Sequence, residues 1–201
     1  MSADLAKVFA ARNMNLHEAA DREEAVRIAL ELIPSKARVG FGGSVTLEEI
    51  GILDILRERD DIGLVDRTIV KTADELHELY LEMFTCDIFL TSANAITETG
   101  QLVNVDGRGN RVAMIAYGPS KVIVIVGRNK IAPDLEAGIE RTRKIATPLN
   151  VKRIRELAAS SPVGSNVDVT EDRIWGQISV IERQMDPDRI HIILVDEDLG
   201  F

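Results

Sequence analysis

Two short apolar runs, residues 87–90 and 122–126, constrain the fold more than any other feature of the sequence. Their length and their β-branched content are typical of strands that are buried on both faces of a sheet. Strands of this kind occur in parallel sheets, where helices cover both faces. We therefore expect both runs to lie in a parallel sheet at the centre of the fold.

A polar stretch rich in turn-forming residues separates these two runs. It has glycines at positions 100, 107 and 109, among hydrogen-bonding residues that include Ser92, Asn94, Thr97, Glu98, Thr99, Asn104, Asp106, Arg108, Asn110 and Arg111. Functional groups concentrate on loops that a rigid scaffold positions. The simpler interpretation is an ordinary hairpin in residues 102–113, with its turn at Asp106-Gly107. The two interpretations are compatible if the hairpin presents Asn94, Glu98 and Asp106 at one end of the sheet.

The rest of the chain alternates between predicted helices and strands. Helices are expected at residues 1–13, 15–33, 45–59, 72–84, 134–147 and 150–159, and strands at 37–41, 62–65, 177–182 and 190–195. Thr72 and Glu75 have the spacing of a capping box, and Pro148 is expected to end a helix. This alternation predicts an α/β fold with a mainly parallel sheet, helices on both faces and a polar hairpin insertion. We expect one domain over residues 1–201: N-terminal helices (1–35), a core (36–155), and a loop with closing strands (156–201).

The sequence GFGGS, residues 40–44, joins a predicted strand to a predicted helix. Gly42, Gly43 and Ser44 would lie where free amide groups and the helix dipole favour an anion. Ser44 or Thr46 is the expected helix cap, with Glu49 at the capping-box offset from Thr46. The alternative is a tight turn that needs glycine for steric reasons alone.

Charge and cysteine content exclude several classes of function. The chain has 33 acidic against 24 basic residues and a net charge of -9, which argues against a nucleic-acid partner. A small anion remains compatible, because a local site can be positive on an acidic protein. The single cysteine, Cys86, allows no internal disulfide and no cysteine-ligated iron-sulfur cluster. We expect Cys86 to be a buried apolar residue rather than a nucleophile.

Motifs for metals, nucleotides and membranes are missing from the sequence. The three histidines have no zinc-site spacing, and there is no P-loop, no GxSxG elbow and no GxGxxG fingerprint. We therefore predict no metal and no cofactor. The N-terminus does not read as a signal peptide, and no apolar run has the length of a membrane span. These features predict a cytoplasmic protein without a membrane partner.

Three residues are the candidates for catalysis. Glu98 could act as a nucleophile or general base if it is partly desolvated, or it could be a solvated turn residue. Asp106 has a competing role as a turn former beside Gly107. Lys130 follows the strand at 121–126, where its ammonium could hold a carboxylate or phosphate, or it could be a solvated surface group. Predicted ligand-binding residues in the same cleft are Gly42, Gly43, Ser44, Ser92, Asn94, Thr97, Gly100, Asn104, Gly107, Asn110, Arg111 and Asn129.

The stretch SANAITETGQLVNVDGRGNRVAMIAYGPSKVIVIVGRNKIAPDLEAGIERTRKIATPLN resembles the lactate-utilisation (LUD) domain family. The resemblance extends to VGFGGSVTLEEIGILDILRER upstream and RIHIILVDEDLGF downstream. It implies a Rossmann-like sheet of the kind found in the sugar-phosphate isomerase and CoA-transferase group, with a cleft at the strand ends. It also implies a place in bacterial oxidation of lactate to pyruvate, in which some members cooperate with iron-sulfur proteins.

The sequence departs from many such relatives in one segment. Where they carry several cysteines, this chain has SPVGSNVDVTEDRIWG, with Ser165, Asp168 and Trp175 at the corresponding places. This departure argues against a bound metal or redox centre.

Three functions remain open at this point. The leading hypothesis is a lactate-utilisation-like protein that binds a small anionic organic acid, or its activated derivative, in the cleft. The second is an isomerase or an enzyme of acyl or CoA transfer that uses Glu98. The third is a non-catalytic subunit whose residues 160–175 dock an iron-sulfur redox partner. A homo-oligomer is compatible with each of them.

Overall fold

The structure, a computed structural model, describes residues 4–160 and 170–201. Ten strands lie in this described part: β1 (Asn15–Ala19), β2 (Arg38–Phe41), β3 (Gly63–Val65), β4 (Ile88–Thr91), β5 (Ala95–Thr97), β6 (Leu102–Asp106), β7 (Lys121–Gly127), β8 (Ile131–Ala132), β9 (Gln177–Ile181) and β10 (Ile190–Val195). The α-helices there are α1 (Leu5–Ala10), α2 (Arg22–Glu31), α3 (Val45–Glu49), α4 (Ile52–Glu58), α5 (Ala73–Phe84), α6 (Asn110–Ala116), α7 (Leu135–Arg141), α8 (Thr147–Ser160) and α9 (Glu171–Ile174). Among the described helices, none combines the length and the apolar character needed to cross a membrane.

Six strands form a parallel sheet in the order β1-β10-β7-β4-β2-β3. Side chains alternate across it, because successive residues of a strand point to opposite faces. Ile123 and Ile125 of β7 pack with α2, α3 and α4, whereas Val122, Val124 and Val126 pack with α1, α5 and α6. Both faces are therefore buried. The predicted Rossmann-like α/β fold, with helices on both faces of a mainly parallel sheet, is confirmed.

A second sheet has the order β8-β5-β6-β9. Strands β5 and β6 form an antiparallel hairpin, and β6 also pairs antiparallel with β9. The predicted strands at 177–182 and 190–195 both exist, but they lie in different sheets, since β10 pairs with β1 and β7. The hairpin insertion therefore has its own supporting strands.

Residues 15–19 form an edge strand, so the helix predicted over residues 15–33 begins too early. In β1 only Ala19 is buried, because the strand has a neighbour on one side only. Such a polar segment has no period that would separate a strand from a helix. Helix α2 begins after Asp21, whose side chain accepts a hydrogen bond from the amide of Glu24.

The hairpin turn lies elsewhere than predicted. The chain reverses between β5 and β6, over residues 98–101, and not at Asp106-Gly107. The carboxylate of Asp106 instead accepts hydrogen bonds from the amide of Arg108, which precedes α6, and from the amide of Arg111 in its first turn. Asp-Gly is a strong hairpin signal, but the same acidic side chain also satisfies free amides at the start of a helix.

The caps of α3 and α5 can be compared with those predicted from the sequence. Thr72 and Glu75 form the expected capping box of α5. Ser44 caps α3 by accepting from the amide of Leu47, so the alternative cap at Thr46 is wrong. Helix α3 is short, and Gly51 with φ +71° separates it from α4. The single helix predicted over residues 45–59 is therefore two.

Pro148 does not end its helix. Helix α7 passes through a π-helical segment, Thr142–Ala146, directly into α8. Proline is tolerated in the first turn of a helix, and the wider π turn suits the missing N–H at that point. The hydroxyl of Thr147 donates to the carbonyl of Thr142 at 2.8 Å and satisfies one of the backbone groups that the change of pitch leaves free.

Candidate functional site

The carboxyl ends of parallel strands meet at one edge of the central sheet. Gly42 follows β2, Ser92 follows β4, and a 3₁₀ turn (Arg128–Lys130) follows β7. Because β7, β4 and β2 are neighbours, these loops lie side by side. The sequence-predicted residues of these loops therefore come together.

Lys130 lies at the centre of this edge and is only 2% exposed. Its Nζ atom donates to the hydroxyl oxygens of Thr46 and Ser92, each at 2.9 Å. An ammonium has three donors, so one N–H of Lys130 has no acceptor among the described residues. No carboxylate forms a salt bridge with Lys130 in that part of the chain.

Other cations surround Lys130. Burial lowers the pKa of Lys130 to about 7, and the positive charges of Arg141 and Arg111 add to this, while Glu49 opposes it. Burial also lowers the pKa of both guanidinium groups. Each remains charged, because an arginine pKa lies far above neutrality. The edge therefore carries concentrated positive charge within a protein whose net charge is -9.

Arg111 holds the hairpin loops together. Its Nη1 donates to the carbonyl of Ser92 and to Oδ1 of Asn104, both at 2.9 Å. Its Nη2 donates to Oδ1 of Asn94 at 2.8 Å and to the carbonyl of Val105 at 2.6 Å. All four terminal N–H groups are thus used on neutral acceptors. Arg111 contributes charge and rigidity to the site, with only its Nε–H left as a donor.

Asn104 has an unused donor inside this network. The residue is 1% exposed, and its Nδ2 atom is buried without a hydrogen-bond partner among the described residues. The amide orientation is fixed, because Arg111 can only donate and therefore requires Oδ1 on its side. An unsatisfied buried donor costs roughly 1–3 kcal/mol. Such a group is suited to a ligand that brings an acceptor.

The segment near the C-terminus closes the site. Asn129 accepts from the amide of Leu199 and donates to the carbonyl of Gly200, both at 3.1 Å. A Cβ atom at Gly200, whose φ is +54°, would lie 2.5 Å from Oγ1 of Thr46 and 3.4 Å from Nζ of Lys130. Only glycine permits this approach. The predicted ligand residue Asn129 therefore holds the segment at Leu199 and Gly200 in place over Lys130.

Surface cavities occur away from this edge. One of about 710 Å³ lies along α5, beside Val70, Glu78 and Leu81. Another, of about 470 Å³, includes Lys36 and Asp188 at the opposite edge of the sheet. Neither is lined by a predicted site residue. The polar groups of the Lys130 cluster converge on one buried ammonium, whereas both cavities are open depressions of the surface.

Three predicted residues that the structure does not bring to Lys130 lie together on one turn: Thr97, Glu98 and Gly100. They belong to the turn between β5 and β6, where Thr97 hydrogen-bonds Gln101. A Cβ at Gly100 would contact Arg12 of the N-terminal region. Strand β5 pairs in parallel with β8, and the same register brings Ala95 beside Lys130. Glu98 is three positions farther along, about 10 Å from Ala95 in the strand direction.

Glu98 is exposed on this turn. Its catalytic role stays a prediction, and the geometry favours Lys130 as the reactive group. Asp106 accepts hydrogen bonds from the amides of Arg108 and Arg111, as described above. Gly107 lies against the backbone of Arg173, and Asn110 is the first residue of α6. These last two residues are also outside the Lys130 cluster.

Sequence reasoning missed Thr46, Arg141 and Gly200 as parts of the site. The sequence marks Thr46 only as a possible helix cap, and Arg141 has an ordinary position in a predicted helix. Nε of Arg141 donates to the carbonyl of Asn129 at 2.9 Å, and its Nη1 donates to the carbonyl of Asn94. Nothing local in the sequence marks these contacts, since they join segments that are far apart in the chain.

The donor set does not suit a metal ion. Within the described residues no group of three or more His, Cys, Asp or Glu side chains could hold one. The segment predicted to dock a partner, residues 160–175, lies mostly outside the described residues, and so do Ser165 and Asp168. Trp175 is described, and Cζ of Arg143 lies 4.6 Å from the centre of its ring. The iron-sulfur partner therefore stays a prediction.

Fold and site together define an α/β protein with a parallel sheet and a buried cationic cluster at the carboxyl edge. The chain belongs to the LUD domain family: the family model matches residues 3–195. The family is associated with lactate utilisation, and the resemblance inferred from sequence is confirmed. The crystal structure of a DUF162 family protein from Deinococcus radiodurans is similar in fold, with 14% identity, a TM-score of 0.55, and coverage of 97% of this chain and 98% of that chain. The comparison with curated proteins gives no match.

Proposed function

We propose that this protein binds a small organic anion through its carboxylate at the carboxyl edge of the central sheet, and that it serves organic-acid metabolism such as lactate utilisation. The observation that supports this most is the environment of Lys130. Its ammonium is buried beside Arg111 and Arg141, and no carboxylate pairs with it among the described residues.

Electrostatics give this environment a preference for anions. Burying a charge without a counter-charge costs several kcal/mol, and like charges nearby add to that cost. A ligand carboxylate would offset both contributions at Lys130. The unused N–H of Lys130 and the Nδ2 group of Asn104 provide hydrogen-bond donors for its oxygens. Binding would favour the charged lysine and raise its pKa, so the complex would take up a proton near neutral pH.

Lys130 is also suited to proton transfer. A group whose pKa lies near the working pH can give and take a proton with little penalty in either direction. Thr46 and Ser92 fix the position of Nζ through two hydrogen bonds. The same lysine could therefore act on a bound organic acid as an acid or a base.

The experiment is a thermal-shift titration with lactate, pyruvate and acetate. A ligand that binds only the folded state raises its melting temperature. We expect a rise with wild-type protein and none with Lys130→Met, which removes the charge but keeps a similar apolar volume. Lys152→Met is the matched control, since that side chain is 73% exposed on α8. An equal rise in Lys130→Met would contradict the proposal.

Glu98→Gln separates this proposal from a mechanism that depends on Glu98. The exposed turn of Glu98 lies about 10 Å along β5 from the position beside Lys130. We expect the thermal shift with these carboxylates to be unchanged in Glu98→Gln. Loss of the shift in this variant, with the protein still folded by circular dichroism, would favour the role that the sequence alone predicted for Glu98.

A further inference from the structure

Two guanidinium groups flank Gly43, at the rim of the same edge. A Cβ atom at this residue would lie 2.7 Å from Nη1 of Arg67 and 4.0 Å from Nη1 of Arg153. Arg67 follows β3 and Arg153 belongs to α8, so distant segments bring these groups together. Gly43 itself is exposed. The absence of a side chain lets the guanidinium of Arg67 lie against the backbone at Gly43, with Nη1 of Arg153 farther away.

Arg67 is not neutralised by its acidic neighbour in the chain. Asp66 accepts from Nε of Arg57 at 2.9 Å and from the amide and hydroxyl of Thr68, both at 2.7 Å. The carboxylate of Asp66 is thus paired with Arg57 and Thr68. Among the described residues, Arg67 has no salt bridge, and its Cζ lies 5.9 Å from the ring centre of Tyr80.

Arg153 is partly neutralised. Its Nη2 donates to Oε1 of Glu48 at 2.8 Å, and its side chain is 22% exposed. A guanidinium has five N–H donors, so this single bond leaves most of them unused. Arg67 and Arg153 thus provide two planar guanidinium groups beside Gly43. Their N–H donors outnumber the two oxygens of a carboxylate and suit the three terminal oxygens of a phosphate.

The rim and the buried cluster are continuous. A Cβ at Gly42 would lie 3.5 Å from Cδ of Arg111, and Arg111 shares Ser92 with Lys130. Lys130 follows β7 and Gly43 follows β2, two strands away, so about 10 Å separate the two positions along the edge. One elongated ligand can therefore contact both.

We propose that the ligand of this protein carries a phosphate group in addition to the carboxylate held at Lys130, and that this phosphate binds over Gly43 between Arg67 and Arg153. The inference rests on the proposed function, whose substrate class it narrows to a phosphorylated organic acid. The buried cluster holds the carboxylate, and the rim gives most of the discrimination between phosphorylated and simple acids.

The test is isothermal titration with 3-phosphoglycerate, lactate and inorganic phosphate as probes. We expect wild-type protein to bind 3-phosphoglycerate more tightly than lactate or inorganic phosphate. Arg67→Gln should weaken the binding of 3-phosphoglycerate by about tenfold or more and leave the binding of lactate unchanged. Arg38→Gln is the matched control, because Arg38 begins β2 at the opposite end of the strand that Gly43 follows.

Two results would overturn the inference and keep the proposed function. One is equal affinity for 3-phosphoglycerate in wild type and Arg67→Gln, while Lys130→Met abolishes binding. The other is binding of lactate with no gain from the phosphate. If Lys130→Met binds every probe as wild type does, the proposed function fails and the inference fails with it. Gly43→Ala is a second variant: its Cβ would displace the flexible end of Arg67, so we expect the same selective loss.

Discussion

The hydroxyl oxygen of Ser92 accepts a hydrogen bond from Nζ of Lys130 at 2.9 Å. The main-chain oxygen of the same serine accepts from Arg111. One residue after β4 thus joins the buried lysine to the arginine that organises the hairpin. Any change in the charge of Lys130 acts directly on the loop that carries both contacts.

The pH dependence of stability follows from the lowered pKa of Lys130. The pKa is about 7 in the folded protein, and an unfolded lysine titrates near 10.5. Between these values the unfolded state binds more protons, so the free energy of unfolding rises with pH, by at most about 1.4 kcal/mol per pH unit. Below pH 7 both states are protonated and the cost of the buried charge is fully present.

Urea unfolding of wild type and Lys130→Met at several pH values between 7 and 10 measures this effect. The difference between the two proteins cancels the contributions of other titrating groups. We expect wild type to gain stability relative to Lys130→Met as the pH rises. A difference that stays constant over this range would show that Lys130 keeps an ordinary pKa.

Gly200→Ala tests the cover over Lys130. The new Cβ would meet Oγ1 of Thr46 at 2.5 Å and would need a positive φ, so the segment must move outward. We expect a loss of roughly 1–2 kcal/mol in stability and a faster reaction of Lys130 with an amine-acylating reagent, followed by mass spectrometry. Gly51→Ala is the control, because Gly51 also has positive φ but no atoms within 4 Å of the added Cβ. A rate of acylation that is equal in both variants would contradict the assigned role of Gly200.

Asn104→Asp places a negative charge inside the cluster. The new carboxylate would keep the hydrogen bond to Arg111 and would remove the unsatisfied Nδ2 donor. We therefore expect the protein to become more stable, by roughly 1 kcal/mol, and to bind carboxylates at least about tenfold more weakly. Thermal unfolding and the titrations described above measure the two effects. Unchanged affinity for carboxylates would mean that the ligand does not contact this network.

The central strands were predictable because their sequences are apolar regardless of their neighbours. Strand β7 is KVIVIVG, a short run of β-branched residues, which is typical of a strand buried on both faces. Strand β1 was not predictable in the same way. It is an edge strand with one fully buried residue, and its place beside β10 depends on a segment more than 170 positions away.

The candidate site was predictable in part. Gly42, Ser92 and Lys130 follow strands, and the rule that strand ends share an edge brings them together. Arg141 and Gly200 reach the same place through tertiary packing, which has no local pattern. Glu98 was predicted in the site but lies outside the Lys130 cluster. The polar loop has a uniform composition, yet in the fold one part of it is a turn near α1 and another part is a network around Arg111.

Leu199, beside the glycine that covers Lys130, is only 1% exposed and packs in the core on the α2 side of the sheet. Uncovering the lysine by moving this segment would withdraw an apolar side chain from the interior, and its cost would make the open conformer a minor population. The apparent dissociation constant of any ligand equals its intrinsic value divided by that population. Affinity for the proposed ligand would therefore depend partly on an aliphatic side chain that belongs to the core and not to the Lys130 cluster.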